Sequence, residues 1–262
     1  MNNILEQIID SRRKDYESPQ ISESELRERY LARTDFRSFR ASLQRKAAAP
    51  GTAAIIAEIK RGSPSKGLFA PDLDPIACAK DYETGGAACL SVLTEPNYFF
   101  GRLDDLIDAR KNCRLPVLRK DFIVSEYQTL ETALYADCIL LLARSLDAEE
   151  LKRLHDLASE LRLDVLVEVF DEADIEKIAP FHFPLIGINR RNLATMNLNR
   201  TNTPRFAGCF SSDQTVVVAS GIDSRADIEQ VMQTGIASFL IGESLSKSAN
   251  RVEFLRRLAA SR

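Results

Sequence analysis

The sequence predicts an α/β protein, a closed (β/α)8 barrel carrying a helical N-terminal extension. Three observations point there. Eight short apolar runs, largely Val, Ile and Leu, recur along the chain. Continuous runs of this kind suit strands buried on both faces. Amphipathic segments of helical period separate them, and regular alternation of strand and helix gives a parallel sheet. Eight repeats in about 210 residues also match the size of such a barrel, which is typically about 250 residues in all. The alternative, a doubly wound open sheet, would be wide and leave exposed edges.

Residues 1–50 form the extension and 51–262 the barrel. Ile4, Leu5, Ile8 and Ile9 make a helical apolar stripe, and Asp35–Ala48 reads as a second helix with Phe36, Phe39 and Leu43 on one side. The extension is expected to pack on the barrel and close part of it. Arg12-Arg13-Lys14 reads as a solvated helix face. Strands are predicted at Ala53–Ile59, Ala88–Leu93, Pro116–Lys120, Cys138–Leu142, Asp164–Val169, Leu185–Asn189, Thr215–Ser220 and Ser238–Ile241. Helices are predicted at Pro75–Thr84, Leu103–Asn112, Glu126–Tyr135, Ala148–Leu161, Glu172–Ile178, Ser224–Thr234 and Arg251–Ala259. Asp74, Ser125, Asp147, Asp171 and Asp223 are the expected N-caps, because a short side-chain oxygen can accept a free N–H of the first turn. Gly85-Gly86 and Gly235 supply helix ends. Asn192–Phe210 holds one weak helix at best, interrupted by Pro204.

Composition narrows the function. The chain has 262 residues, 45% hydrophobic and 28% charged, enough for a large core. The net charge of −3 is spread over both signs, with no basic stripe to hold nucleic acid. No apolar run is long enough for a membrane helix, and the N-terminus lacks a signal-peptide pattern, so a cytoplasmic protein is expected. The five cysteines include no C-x-x-C pair and read as free thiols. The two histidines, His155 and His182, lack metal-ligand spacing, so no metal is expected and the acids and bases are expected to be Lys and Glu.

Active sites of such barrels lie at the C-terminal ends of the strands. That rule selects Glu58 and Lys60 on strand one, which share a face because strand side chains alternate. It also selects Arg119-Lys120-Asp121 after strand three, Glu168 in strand five and Asn189-Arg190-Arg191-Asn192 after strand six. Ser220-Gly221 and Gly242-Glu243 end strands seven and eight, where barrel enzymes commonly hold a phosphate with glycines and helix N-termini. The long Arg61–Pro75 loop reads either as a lid over the pocket or as an ordinary connector.

These segments resemble the indole-3-glycerol-phosphate synthase family. The matching pieces are Ala57-Glu58-Ile59-Lys60-Arg61 with Ser63-Pro64-Ser65, Ser91-Val92-Leu93-Thr94-Glu95 with Tyr98-Phe99, and Pro116 to Val124. Leu166-Val167-Glu168-Val169, Ile188-Asn189 with Arg191-Asn192-Leu193, Ser220-Gly221-Ile222 and Phe239 to Glu243 follow in the family's order. The resemblance implies ring closure, decarboxylation and dehydration of 1-(2-carboxyphenylamino)-1-deoxyribulose 5-phosphate, a carboxy-lyase reaction of tryptophan biosynthesis that needs no cofactor. It implies Lys120 as the proton donor to the ketone oxygen and Lys60 as the partner of the substrate carboxylate. Glu168 would move protons during dehydration, and Glu58 would position the lysine and the hydroxyl groups. Asn189 and Arg191 would orient the substrate and the catalytic carboxylate. Ser63, Ser220, Gly221, Gly242 and the backbone of Glu243 would hold the phosphate, and Phe99, Phe122 and Leu193 would surround the anthranilate ring. The division of acid and base work among Lys60, Lys120 and Glu168 stays open.

The partner expected is a small phosphorylated molecule, with neither nucleic acid nor membrane. The assembly expected is a monomer or weak homodimer, with transient contacts to other tryptophan-pathway enzymes. Other phosphate-binding barrels, phosphoribosylanthranilate isomerase and the tryptophan synthase alpha subunit, would share the phosphate cradle but not the two lysines with this extension. Two departures stand out. The family usually places Glu where this chain has Ala219, and its Asn-Asn-Arg is here Asn189-Arg190-Arg191. Together they are expected to make the pocket rim more positive. They leave open a relative that binds the ligand without the chemistry.

Overall fold

The computed structural model describes residues 4–192, 195 and 197–260. Eight parallel strands close into a barrel. They are β1 (Ala54–Ile59), β2 (Cys89–Leu93), β3 (Val117–Lys120), β4 (Cys138–Leu142), β5 (Asp164–Val169), β6 (Leu185–Asn189), β7 (Thr215–Ala219) and β8 (Ser238–Ile241). Closure comes from β1 pairing with β2 on one side and β8 on the other, with Ala57 opposite Ile241. The strands therefore agree with the sequence to within a residue at each end, and the open sheet is excluded.

Alternation along the strands separates two apolar layers. Ile55, Ala57, Val92, Ile139, Val167 and Ile188 face the surrounding helices. Ala54, Ile56, Leu118, Leu140, Leu166 and Leu240 belong to the inner cluster. The barrel interior is thus a packed core, and its upper end is left for function.

The extension comprises α1 (Ile4–Asp15), α2 (Glu23–Leu31) and α3 (Phe39–Ala47). Helix α3 plugs the N-terminal end of the barrel. Its first backbone N–H groups, at Phe39 and Arg40, donate to Asp164 at the start of β5. Ser42 donates to the Ala88 carbonyl just before β2. Phe39 and Leu43 are fully buried in the inner cluster. Helix α1 sits at the opposite end, where Ser11 accepts from Asn97 and Arg12 donates to Asp121. This corrects the reading of Arg12 as solvated: it is 4% exposed, whereas Arg13 and Lys14 are exposed. The second predicted helix begins later than expected, at Phe39, and α2 was not anticipated at all.

The remaining helices are α4 (Pro75–Gly85), α5 (Leu103–Lys111), α6 (Glu126–Tyr135), α7 (Ala148–Glu160), α8 (Glu172–Ile178), α9 (Asn202–Ala207), α10 (Arg225–Met232), α11 (Glu243–Ser246) and α12 (Arg251–Ala259). Asp74, Ser125, Asp147 and Asp171 cap their helices as expected. Asp223 does not. Ser224 caps α10 instead, because it forms a reciprocal capping box with Asp227. Pro204 does not interrupt α9, since it lies in the first turn, where its missing N–H costs nothing.

Candidate active site

A cavity of about 270 Å³ opens at the C-terminal ends of the strands. It is lined by Glu58, Lys60, Ser63, Phe99, Lys120, Phe122, Glu168, Asn189, Arg191, Ser220, Gly221, Gly242 and Glu243. The structure thus brings together every residue given a catalytic or binding role from the sequence except Leu193, which lies outside the described residues, whereas Arg119, Arg190 and Asn192 from the same strand ends do not line the cavity. Leu198, from the same loop, does line the cavity.

Glu58 is the electrostatic centre. Its side chain is 4% exposed and lies 2.8 Å from the Lys60 ammonium and 3.9 Å from that of Lys120. Burial alone would push the Glu58 carboxyl up, but Lys60 and Lys120 overcome this and hold it below the ordinary carboxylate range. Strand alternation puts Glu58 and Lys60 on one face, and Lys120 stands at the end of a strand that does not adjoin β1. Only barrel curvature brings the three together.

A second polar chain crosses the opposite wall. Asn189 Nδ2 donates to Glu168 Oε1 at 2.9 Å, and Asn189 Oδ1 accepts from Ser220 Oγ at 2.9 Å and from the Arg191 N–H. Asn189 thereby fixes the Glu168 carboxylate with one end of its amide. Its other end is anchored by β7 and its own turn. Phe99 and Phe122 lie with ring centroids 5.9 Å apart. Phe99 is held through Glu95, a buried carboxylate that accepts the backbone N–H groups of Asn97, Tyr98 and Phe99.

Beside them, Ser220 and Gly221 both adopt positive φ, of 71° and 67°. For a serine this is uncommon backbone, of a kind that clusters at ligand-binding turns. At Gly242 a Cβ would stand 2.2 Å from Glu58 Oε1, so only glycine lets this turn approach the carboxylate. The Glu243 side chain pairs with Lys247 and Lys66, which hold its carboxyl down at about 2.

Several residues of the cavity wall were given no role from the sequence. Ser65, Lys66 and Ser244 also line the cavity. Lys66 sits at the tip of the Arg61–Pro75 loop, which forms a two-stranded hairpin, Gly62–Ser63 with Gly67–Leu68. Arg61 ties the hairpin base to Asp105 through two hydrogen bonds of 2.8 Å and to the Pro71 carbonyl. The Pro-Ser-Lys-Gly turn was the available signal. The expected effect of Arg190 is corrected: its side chain is 4% exposed, turned to Thr203 of α9, and does not line the cavity. Ala219 does line it, opposite Asn189 in the β6–β7 register. Among the described residues, no group of three His, Cys, Asp or Glu side chains is placed to hold a metal.

Comparison with known proteins shows the family. A family model described as indole-3-glycerol phosphate synthase matches residues 5–258. A protein of that name from Desulfosudis oleivorans is 46% identical over 98% of this chain and 99% of its own. Another, from Chromobacterium violaceum, is 41% identical over 98% of both. The fold alone is shared with 3-hexulose-6-phosphate synthase from Salmonella typhimurium, with a TM-score of 0.62 at 12% identity over 78% of this chain and 96% of that one. With matches running nearly end to end, the chain belongs to the indole-3-glycerol-phosphate synthase family.

Proposed function

We propose that the protein closes the indole ring of 1-(2-carboxyphenylamino)-1-deoxyribulose 5-phosphate, releasing carbon dioxide and water to leave indole-3-glycerol phosphate. The observation that carries this is Glu58 held between Lys60 and Lys120. Attack of the ring carbon on the ketone builds charge on the ketone oxygen, and a positioned ammonium can donate to it as the charge develops. Lys120 takes that role. Lys60 balances the substrate carboxylate until it leaves. Glu58 keeps both lysines directed at one volume and lowers the repulsion between them.

Once carbon dioxide has gone, the hydroxyl left by the ketone must depart as water. Glu168 handles the protons of that step, with Asn189 holding its orientation and Arg191 directing the substrate toward it. Ser63, Ser220, Gly221, Gly242 and the Glu243 N–H hold the phosphate, and Phe99 and Phe122 flank the aromatic ring. The phosphorylated substrate is the partner assigned, with the cytoplasm as the location. A single chain is a sufficient unit for this chemistry, because every residue assigned a role comes from one barrel.

The test is a fluorescence assay for indole-3-glycerol phosphate, with the purified protein in EDTA. Turnover is expected, and Lys120→Ala should lower kcat by at least ~10²-fold, the usual scale for a positioned acid. Tight substrate binding without turnover by the parent protein would instead identify a relative that has kept the ligand and lost the reaction.

A further inference from the structure

Lys120 stands at a weakly held strand end. The β3–β4 ladder stops at Arg119, opposite Ile139, so Lys120 is paired only on the β2 side, opposite Leu93. The residues flanking it are gripped outside the barrel. Asp121 is fully buried and accepts hydrogen bonds from several directions. Arg12 of α1 donates to both its oxygens, at 2.9 and 2.7 Å. Thr94, just beyond β2, donates at 2.5 Å, and Arg119 reaches it at 3.3 Å. Arg119 is itself held by Glu131 of α6 at 2.8 Å and by Tyr16 at 2.8 Å. Alternation directs Arg119 outward and Lys120 inward, and just past the strand the Asp121 side chain is held by Arg119 and Arg12.

We propose that Arg12, acting through Asp121, is a positioning residue for Lys120, so that the N-terminal helix sets where the proton donor stands. This rests on the assignment of Lys120 as that donor. A bidentate guanidinium–carboxylate pair constrains direction as well as distance, which an ammonium in the same place would not. The pair fixes the residue immediately after Lys120 at the point where the sheet ceases to do so. A shift of about 1 Å in a reacting group can cost about 10²-fold in rate.

The extension supplies its own control. Arg33 is also buried and makes comparable bonds, to the Ala136 carbonyl at 2.6 Å and to Asp137 at 2.9 Å. Asp137 accepts from the Val117 N–H, at the start of β3 and far from the reacting groups. Arg12→Met, Arg12→Lys, Arg33→Met and Lys120→Ala are compared by kcat and KM at a temperature well below the Tm of each.

Arg12→Met is expected to lose about 10-fold or more in kcat with KM changed less than about twofold. Arg12→Lys should recover only part of the loss, because charge returns without the fork. Arg33→Met should lower Tm and leave kcat near the parent value. Parent-like kcat in Arg12→Met beside an inactive Lys120→Ala would overturn this inference alone. Equal kcat losses in Arg12→Met and Arg33→Met would overturn it in favour of general destabilisation. An active Lys120→Ala would overturn the assignment beneath it.

Discussion

Ala219 is the residue whose identity most separates this chain from its family's pattern. It faces the cavity next to the Asn189–Glu168 pair, so a carboxylate there would enter the same polar wall. Lys60, Lys120 and Arg191 line that cavity together with Glu58 and Glu168, and a further anion would meet cations already in place. Ala219→Glu is therefore expected to raise kcat in the indole-3-glycerol phosphate assay. An unchanged or lower kcat would mean that the two carboxylates present suffice. At this scale the sequence was most informative where chemistry is local, as in Glu58-x-Lys60, where alternation alone puts both charges on one face. It misled at Arg12. A run of three basic residues on a helix looks solvated, and the partner of the first is Asp121, 109 residues away. Nothing in the local sequence reports such a contact.

Among the elements, those with a strong periodic signal were read almost to the residue. The strands are buried on both faces, so apolar continuity marks their limits. Helix α7 carries a full capping box and α6 a serine cap. Helix α2 escaped notice because it is polar almost all round: in Glu23–Leu31 only Leu26 is buried. It packs on α6, and one leucine gives no period to detect. Helix α3 carries more weight than its length suggests, since it fills the barrel's lower end with Phe39 and Leu43 and satisfies its first N–H groups on Asp164. Phe39→Ala should cost about 3–5 kcal/mol in urea unfolding, the range for truncating a fully buried phenylalanine. A cost below ~1 kcal/mol would show that α3 covers the barrel without supporting it.

For the whole molecule, the grouping of charges at the barrel mouth makes stability depend on acidity. The Glu58 carboxyl is held below the ordinary glutamate value of about 4.5 by the two lysines, so the unfolded chain takes up this proton first as pH falls. The stabilisation is fully present above pH ~4.5 and is lost as pH drops through the lower folded value. The Tm gap between parent and Glu58→Gln should therefore narrow steadily below pH ~4.5. A constant gap would show that the ion pairs do not supply the difference.

The extension that grips both ends of the barrel also has a consequence for order in time. A chain emerging from the ribosome presents α1, α2 and α3 before the barrel, yet their partners come much later. Arg12 meets Asp121 across 109 residues, and the Phe39 N–H meets Asp164 across 125. The amphipathic N-terminal segment must therefore wait, apolar face unsatisfied, until more than half the protein has been synthesised. At about 5–20 residues per second, that is an exposure of about 5 to 25 seconds. The N-terminal helices are thus made before the strands that they dock on. Their docking has to follow the synthesis of β3 and β5, and the interval before it leaves their apolar faces open to capture by a chaperone or by another copy of the chain.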